Sequence, residues 1–256
     1  RSNSIGVIIP YLGNPFQSQV LEGAHQAAYE RNYKLVFMQS HENAKLEQES
    51  LKTLQQQNVD GIIITPSANS SLKYLKQFHQ ICPLVLVDRI DFDLPTFKIG
   101  VNSEKGAFDA TQHLINSGRK NILVLCGMNI GINQKRISGY NKALIANFIP
   151  FNKENIIQVD YGQSREDLIK NLTQILKDKL MSSSEPMGIL GTTDTLTVSS
   201  LGILSNLGIK VPEQVSVIGF ANTEAAESLN PSLSTIIQPA FEIGEIGVEK
   251  LIQLIE

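Results

Sequence analysis

The chain has 256 residues, 42% of them hydrophobic and 18% charged, which excludes a disordered segment and suits one large core or, at this length, two lobes. Lys and Arg number 22 against 25 Asp and Glu, for a net charge of -3, and no stretch gathers a basic face that would neutralise phosphates.

Ile5 to Pro10 reads as a strand. Asn14-Pro15 then pairs a capping side chain with a proline suited to a first helical position, and the helix runs through Val20, Leu21, Ala24 and Ala28 to stop near Asn32. Further strands are expected at Lys34 to Gln39, Gly61 to Thr65, Leu84 to Asp88, Lys98 to Val101, Asn121 to Cys126, Ile156 to Val159, Met187 to Gly191 and Val215 to Phe220. These runs are apolar without alternation, as strands covered on both faces require, and amphipathic stretches separate them. A helix from Thr193-Asp194 turns Leu196, Leu201 and Leu204 inward and ends at Gly208, and another from Phe241 to Leu254 closes the chain. The fold class is α/β, with parallel sheets. The series divides near residues 100 to 103 and again near Ser234 to Pro239 without a Gly/Ser linker. Two lobes joined by short hinge crossings are expected, with a small-ligand cleft between them.

Cys82 and Cys126 lie in apolar runs, where unpaired thiols pack as small hydrophobes; their number and spacing exclude a disulfide framework or a metal site. Apolar runs reach about six residues, far short of the roughly 20 that cross a bilayer, and no secretory leader pattern opens the sequence. The reading is a soluble, cytoplasmic protein.

Asn14, Phe16 and Gln17 fall at the carboxyl end of the first strand and at a helix N-terminus, where ligands of open α/β sheets sit. The alternative is that Asn14 only caps and Phe16 only packs. Asp88-Arg89 ends another strand and either binds vicinal hydroxyls or forms a local ion pair. Arg136 is expected in the first turn of a helix, where a cation opposes the helix dipole and calls for a partner, either a ligand or solvent. Gly127-Met-Asn-Ile-Gly131 fits neither phosphate-loop pattern. His25, His41, His79 and His113 lack metal spacing, and no nucleophile elbow or Cys/His pairing occurs. No metal, cofactor or catalytic residue is therefore expected.

Six segments occur in order over nearly the whole chain: Ile5-Gly-Val-Ile-Ile-Pro10 with Asn14-Pro15-Phe16, Val59-Asp-Gly-Ile-Ile-Ile64, Val85-Leu-Val-Asp-Arg89, Arg136-Ile-Ser-Gly-Tyr140, Gly208-Ile-Lys-Val-Pro-Glu-Gln-Val-Ser-Val-Ile-Gly-Phe220 and Leu233-Ser-Thr-Ile-Ile-Gln-Pro239. Together they resemble the regulatory core of lac repressor (LacI) family transcription regulators. The resemblance implies two doubly wound parallel-sheet lobes of the type I periplasmic-binding-protein kind. It implies an effector-binding and dimerisation core without the helix-turn-helix headpiece that reads operator DNA, with Arg1-Ser-Asn-Ser as the end of a hinge connection. Residues 1-100 plus 239-256 would form the dimerising N-terminal lobe, and residues 103-234 the C-terminal lobe.

The ligand positions implied are Asn14, Phe16, Gln17, Thr65, the hydroxyl-clamping pair Asp88 and Arg89, Arg136, Thr193 and Gln238. Thr193-Asp194 stands where the family usually has Asn-Asp, and Ala221 where it usually has an aspartate that grips sugar hydroxyls. Either the ligand differs or another group supplies the contact. The partners implied are a small polar effector, a sugar or derivative, operator DNA through the headpiece, and a second copy of the chain, with no membrane. A periplasmic sugar-binding protein of a transporter is the alternative; an enzyme using the cleft and a sensor of a partner protein are further rivals.

Overall fold

Strands and helices alternate along the chain, and the computed structural model, which describes residues 2–256, arranges them as two parallel sheets. Arg1, the first residue of the expected hinge connection, lies outside the described residues. The first unit runs to Val101, takes in Asn129–Gly131 and resumes over Pro239–Glu256; the second comprises Asn102–Met128 and Ile132–Gln238.

In the first unit β1 (Ser4–Ile9), β2 (Lys34–Gln39), β3 (Gly61–Ile64), β4 (Leu84–Val87) and β5 (Lys98–Ile99) form a sheet of order β2-β1-β3-β4-β5, parallel at every pairing. Successive side chains of a strand leave by opposite faces, so each apolar run feeds two cores. Ile5, Val7, Ile9, Ile63, Val85 and Val87 meet residues of the first helix, α1 (Pro15–Glu30), and of the chain's last helix. Ile8, Ile62, Ile64, Leu84 and Leu86 meet Leu51 and Leu54 of α2 (Ala44–Gln56) and Leu75 and Phe78 of α3 (Leu72–His79).

The second unit repeats the plan. Here β6 (Asn121–Gly127), β7 (Ile156–Val159), β8 (Met187–Gly191), β9 (Val215–Phe220) and β10 (Ser234–Ile236) form a parallel sheet of order β10-β9-β8-β6-β7. One face packs on α4 (Ser103–Asn116) and α5 (Ile132–Ala146) through Ala107, Leu114, Tyr140 and Leu144. The other packs on α6 (Arg165–Met181) and α7 (Asp194–Asn206) through Leu168, Leu172, Leu196 and Leu204. In both sheets the chain reverses direction beside its first strand, at β1/β3 and at β6/β8, the switch points where side chains after the strands can converge.

The sequence pattern does not show β10, because Ser234 and Thr235 break the apolar run of a strand at the sheet edge. It also overextends β5, which pairs over two residues only. Cys82 and Cys126 are buried free thiols, each pushed up to about 11 by burial, and so are not thiolate nucleophiles at neutral pH.

Closure of the first unit depends on the last helix, α8 (Ala240–Ile255), lying close against α1. The approach is permitted by two glycines. A Cβ on Gly23 would stand 2.0 Å from the Phe241 carbonyl oxygen, and one on Gly244 would stand 2.0 Å from that of Val20. Gly244→Ala should therefore cost about 2 kcal/mol through overpacking, read as a lower urea midpoint. Gly202→Ala in α7 meets nothing within 4 Å and should be neutral or stabilise by about 0.5 to 1 kcal/mol.

Candidate functional site

The polar side chains left over from these cores gather at the carboxyl ends of the strands, one cluster in each unit. In the first unit the Asn14 side chain accepts from Phe16 N (3.0 Å) and Gln17 N (3.3 Å), capping α1 directly after β1. Phe16 is buried in the α1 core, so within their unit Asn14 caps and Phe16 packs, which is compatible with either reading of these two residues. Gln17, on the first turn of α1, is buried and bridges two strand ends. Its Oε1 accepts from Thr65 Oγ1 at 3.1 Å after β3, and its Nε2 donates to Asp88 Oδ2 at 3.3 Å after β4.

Asp88 has a φ of +63°, and Arg89 N bonds back to Val87 O at 2.7 Å. This tight turn sends the two neighbouring side chains to different partners. Asp88 meets Gln17, while Arg89 holds Glu42 through Nη2–Oε1 at 2.6 Å and Nη1–Oε2 at 2.8 Å and donates to Pro66 O at 2.9 Å. The ion pair at this strand end is thus between Arg89 and Glu42, a residue in the loop after β2 that no sequence motif singles out.

Glu47, in the first turn of α2, is buried beside them and accepts from Ser67 N and Ser70 Oγ, each at 2.5 Å. Glu42 also takes Ala68 N at 2.8 Å. Two carboxylates, Glu42 from the loop after β2 and Glu47 from the first turn of α2, therefore fix the loop between β3 and α3. Burial holds the Glu47 carboxyl above its ordinary 4.5, against the opposing hydrogen bonds from Ser70 and Ser67 and the nearby Arg89 charge.

In the second unit Asn133 Nδ2 donates to Gly127 O at 2.8 Å, tying the start of α5 to the end of β6. Arg136 follows one turn later. Since α5 begins at Ile132, Arg136 lies beyond the first turn, and the opposition to the helix dipole expected from sequence does not arise there. The buried guanidinium donates to the Thr192 carbonyl and, at 3.4 Å, to Gln238 Oε1, and lies 4.0 Å over the Phe220 ring. That stacking offsets part of the cost of burying a cation.

Thr193 caps α7 through Oγ1 to Leu196 N at 3.3 Å, and the same oxygen meets Tyr161 OH at 2.8 Å. Tyr161 is absent from the sequence-derived positions, although an aromatic two residues past a strand end is a usable signal. Asn222 and Gln238 exchange two bonds: Asn222 Nδ2 donates to Gln238 O at 2.7 Å, and Gln238 N donates to Asn222 Oδ1 at 3.0 Å. Ala221 is buried in the α6/α7 core, and the carboxylate nearby is that of Asp194, which accepts from Asn222 N at 2.7 Å. Beside Arg136, Thr192 Oγ1 and Gln238 Nε2 are buried without a hydrogen-bond partner.

The structure therefore brings Gln17, Thr65 and Asp88 together, and Arg136 with Gln238; Thr193 stands next to Thr192, and Arg89 is turned to Glu42. Among the described residues there is no His/Cys/Asp/Glu group that could hold a metal ion, and no helix is long and apolar enough to cross a membrane.

A family described as periplasmic binding proteins and sugar binding domain of the LacI family matches residues 2–256. The ribose operon repressor of Haemophilus influenzae is 30% identical over 257 residues, covering 100% of this chain and 75% of the repressor. Among solved structures, transcription regulator CcpA of Lactococcus lactis has a TM-score of 0.87 at 25% identity, covering 100% of this chain and 92% of that one. A LacI family transcriptional regulator from Enterococcus faecium with bound ribose has a TM-score of 0.82 at 26% identity, covering 98% and 90%.

Two measurements test the internal wiring. Asn222→Ala leaves the Gln238 backbone N–H and carbonyl unpaired and should cost roughly 2 to 4 kcal/mol, read by urea denaturation. For Glu47 the folded state binds its proton more tightly than the unfolded chain does. Its contribution to stability is full below about pH 4.5 and is lost as pH rises through the raised value. The stability difference between wild type and Glu47→Gln should therefore shift against wild type as pH rises through that window; a flat difference would contradict the assignment.

Proposed function

We infer that this chain, which belongs to the LacI family of transcription regulators and carries its effector-binding domain, takes up a small polar metabolite, a sugar or sugar derivative. It is a regulator's domain and not an enzyme; the relatives are repressors and transcription regulators. The observation that carries the ligand reading is the pair of buried, unpartnered groups Thr192 Oγ1 and Gln238 Nε2 beside Arg136. A buried hydroxyl and amide left without partners each cost about 1 to 3 kcal/mol, and a ligand carrying hydroxyls satisfies both.

On this reading the ligand-binding groups are those of the two carboxyl-edge clusters: Gln17, Thr65 and Asp88 in one unit, and Arg136, Thr193 and Gln238 in the other. Asn14 and Phe16 set the position of Gln17. The name of the Haemophilus repressor and the ribose in the Enterococcus regulator make ribose the first probe. Binding acts on operator DNA through a headpiece of the helix-turn-helix kind, by favouring one arrangement of a dimer formed through the first unit. Coupling of about 1 to 3 kcal/mol is enough, provided that the effector binds one arrangement better than the other. The half-exposed Phe37 on the outer strand β2 supports the first unit as the dimerising one.

A sugar at 100 times its Kd should raise stability by about 2.7 kcal/mol, detected as a thermal shift across a panel of pentoses, hexoses and disaccharides that starts with ribose. Arg136→Ala should abolish the shift, and Asp88→Asn should weaken binding by about 5- to 150-fold. An unchanged shift in Arg136→Ala would place the site elsewhere.

A further inference from the structure

We propose that Ser103 and Thr192 are a pair of specificity-determining residues that read two hydroxyl groups of the effector. This rests on the effector-binding reading above and adds to it the part of the ligand that these side chains recognise.

The periodicity of their own elements places both side chains in one layer of the second unit. In β8, Ile189 enters the core against α6 and α7, and Leu190 the core against α4 and α5. Thr192 N donates to Leu125 O at 3.0 Å, which carries the β6–β8 ladder one residue past the strand. By alternation Thr192 leaves on the face of Leu190, and Thr193 on the other, where its hydroxyl meets Tyr161. On α4, Ser103 lies four residues before Ala107 of the Leu190 core, and that spacing puts both on one helix face. Since α4 runs back to the start of β6, its first turn stands at the carboxyl edge of the sheet. Gln238 follows Ile236 of the same layer by two residues, with the exposed Ile237 between them.

These polar side chains top the core nearly dry: Thr192 is 0% exposed, Ser103 1% and Gln238 7%. Among the described residues Ser103 Oγ, Thr192 Oγ1 and Gln238 Nε2 find no hydrogen-bond partner. Elsewhere in the unit the usual remedy is at work. Thr111 returns its hydroxyl to Ala107 O at 2.7 Å, and Ser200 to Leu196 O at 2.6 Å, each one helical turn back. Ser103 is the first residue of its helix, with no turn behind it, and Thr192 stands in extended chain, so the remedy is closed to both. Each hydroxyl can donate one bond and accept others, which suits a sugar hydroxyl in either direction. An analogue lacking that hydroxyl leaves the protein group unpaired and is bound less well.

The test measures ribose, glucose and their singly deoxygenated derivatives on the purified chain by titration calorimetry. In wild type, removing either of two hydroxyls from the responding sugar should weaken binding about 5- to 150-fold. Thr192→Val and Ser103→Ala should each weaken the parent sugar by a similar factor, and each should lose that effect on a different deoxy derivative, as interacting pairs do. Their urea midpoints without sugar should stay or rise, because a dry unpaired hydroxyl is removed. Thr192→Ser, which keeps the hydroxyl, should bind the parent sugar much as wild type does. Wild-type affinity in either variant overturns the pair and leaves the effector reading standing. So does a loss equal for the parent sugar and every deoxy derivative, which is what a purely structural role would give. Silence of all the probes in wild type counts against a sugar effector itself and removes this inference with it.

Discussion

A parallel sheet buried on both faces has no lateral surface for chemistry. Ile62, Ile63 and Ile64 of β3 are all fully buried, and Leu84 to Val87 likewise, so each of those strands spends its whole length on cores. Polar function is confined to the turns beyond the strand ends. It collects at the carboxyl ends because the next helix begins there, bringing unpaired backbone N–H groups and a polar first turn within reach. Asn14 after β1 and Thr193 after β8 are both caps and both lie beside residues of the clusters, so the caps of the helices that follow the strands also help to place the clustered polar side chains.

The same confinement explains why the clusters are so heavily cross-bonded. A polar side chain that is nearly dry must find partners or cost more than it returns. Gln17 solves this with both ends of its amide, Arg89 with a carboxylate and a carbonyl, and Arg136 with a carbonyl, an amide and an aromatic face. The side chains are thereby held in place by partners within the chain, which would lower the ordering cost of the binding proposed above.

Much of the architecture is legible because burial on two faces leaves an unbroken apolar run, and nine such runs stand out in the sequence. The short edge strand β10 is not legible: three residues beginning Ser-Thr carry no periodicity. Helix starts are readable where a cap stands before the first turn, as at Asn14, but α5 has no such marker, and its start at Ile132 leaves Arg136 one turn further in than expected. The resemblance supplies positions for Asp88, Arg89, Arg136 and Gln238. It does not supply Glu42, Glu47 or Tyr161, because their partners are 47, 20 or 23, and 32 residues away, and sequence spacing carries no sign of an encounter made only by the topology.

The glycine-mediated seating of α8 on α1 bears on the order in which the molecule can be made. The second unit's sheet and helices come from one nearly continuous stretch, whereas the first unit cannot close until residues 240–255 return to its opening helix. During synthesis the sheet face formed by Ile5, Val7, Ile63, Val85 and Val87 therefore stays partly uncovered while the whole intervening unit emerges and folds. The first unit, begun before the second, is finished after it, and its uncovered aliphatic face is a part of the nascent chain with a long need of protection from self-association.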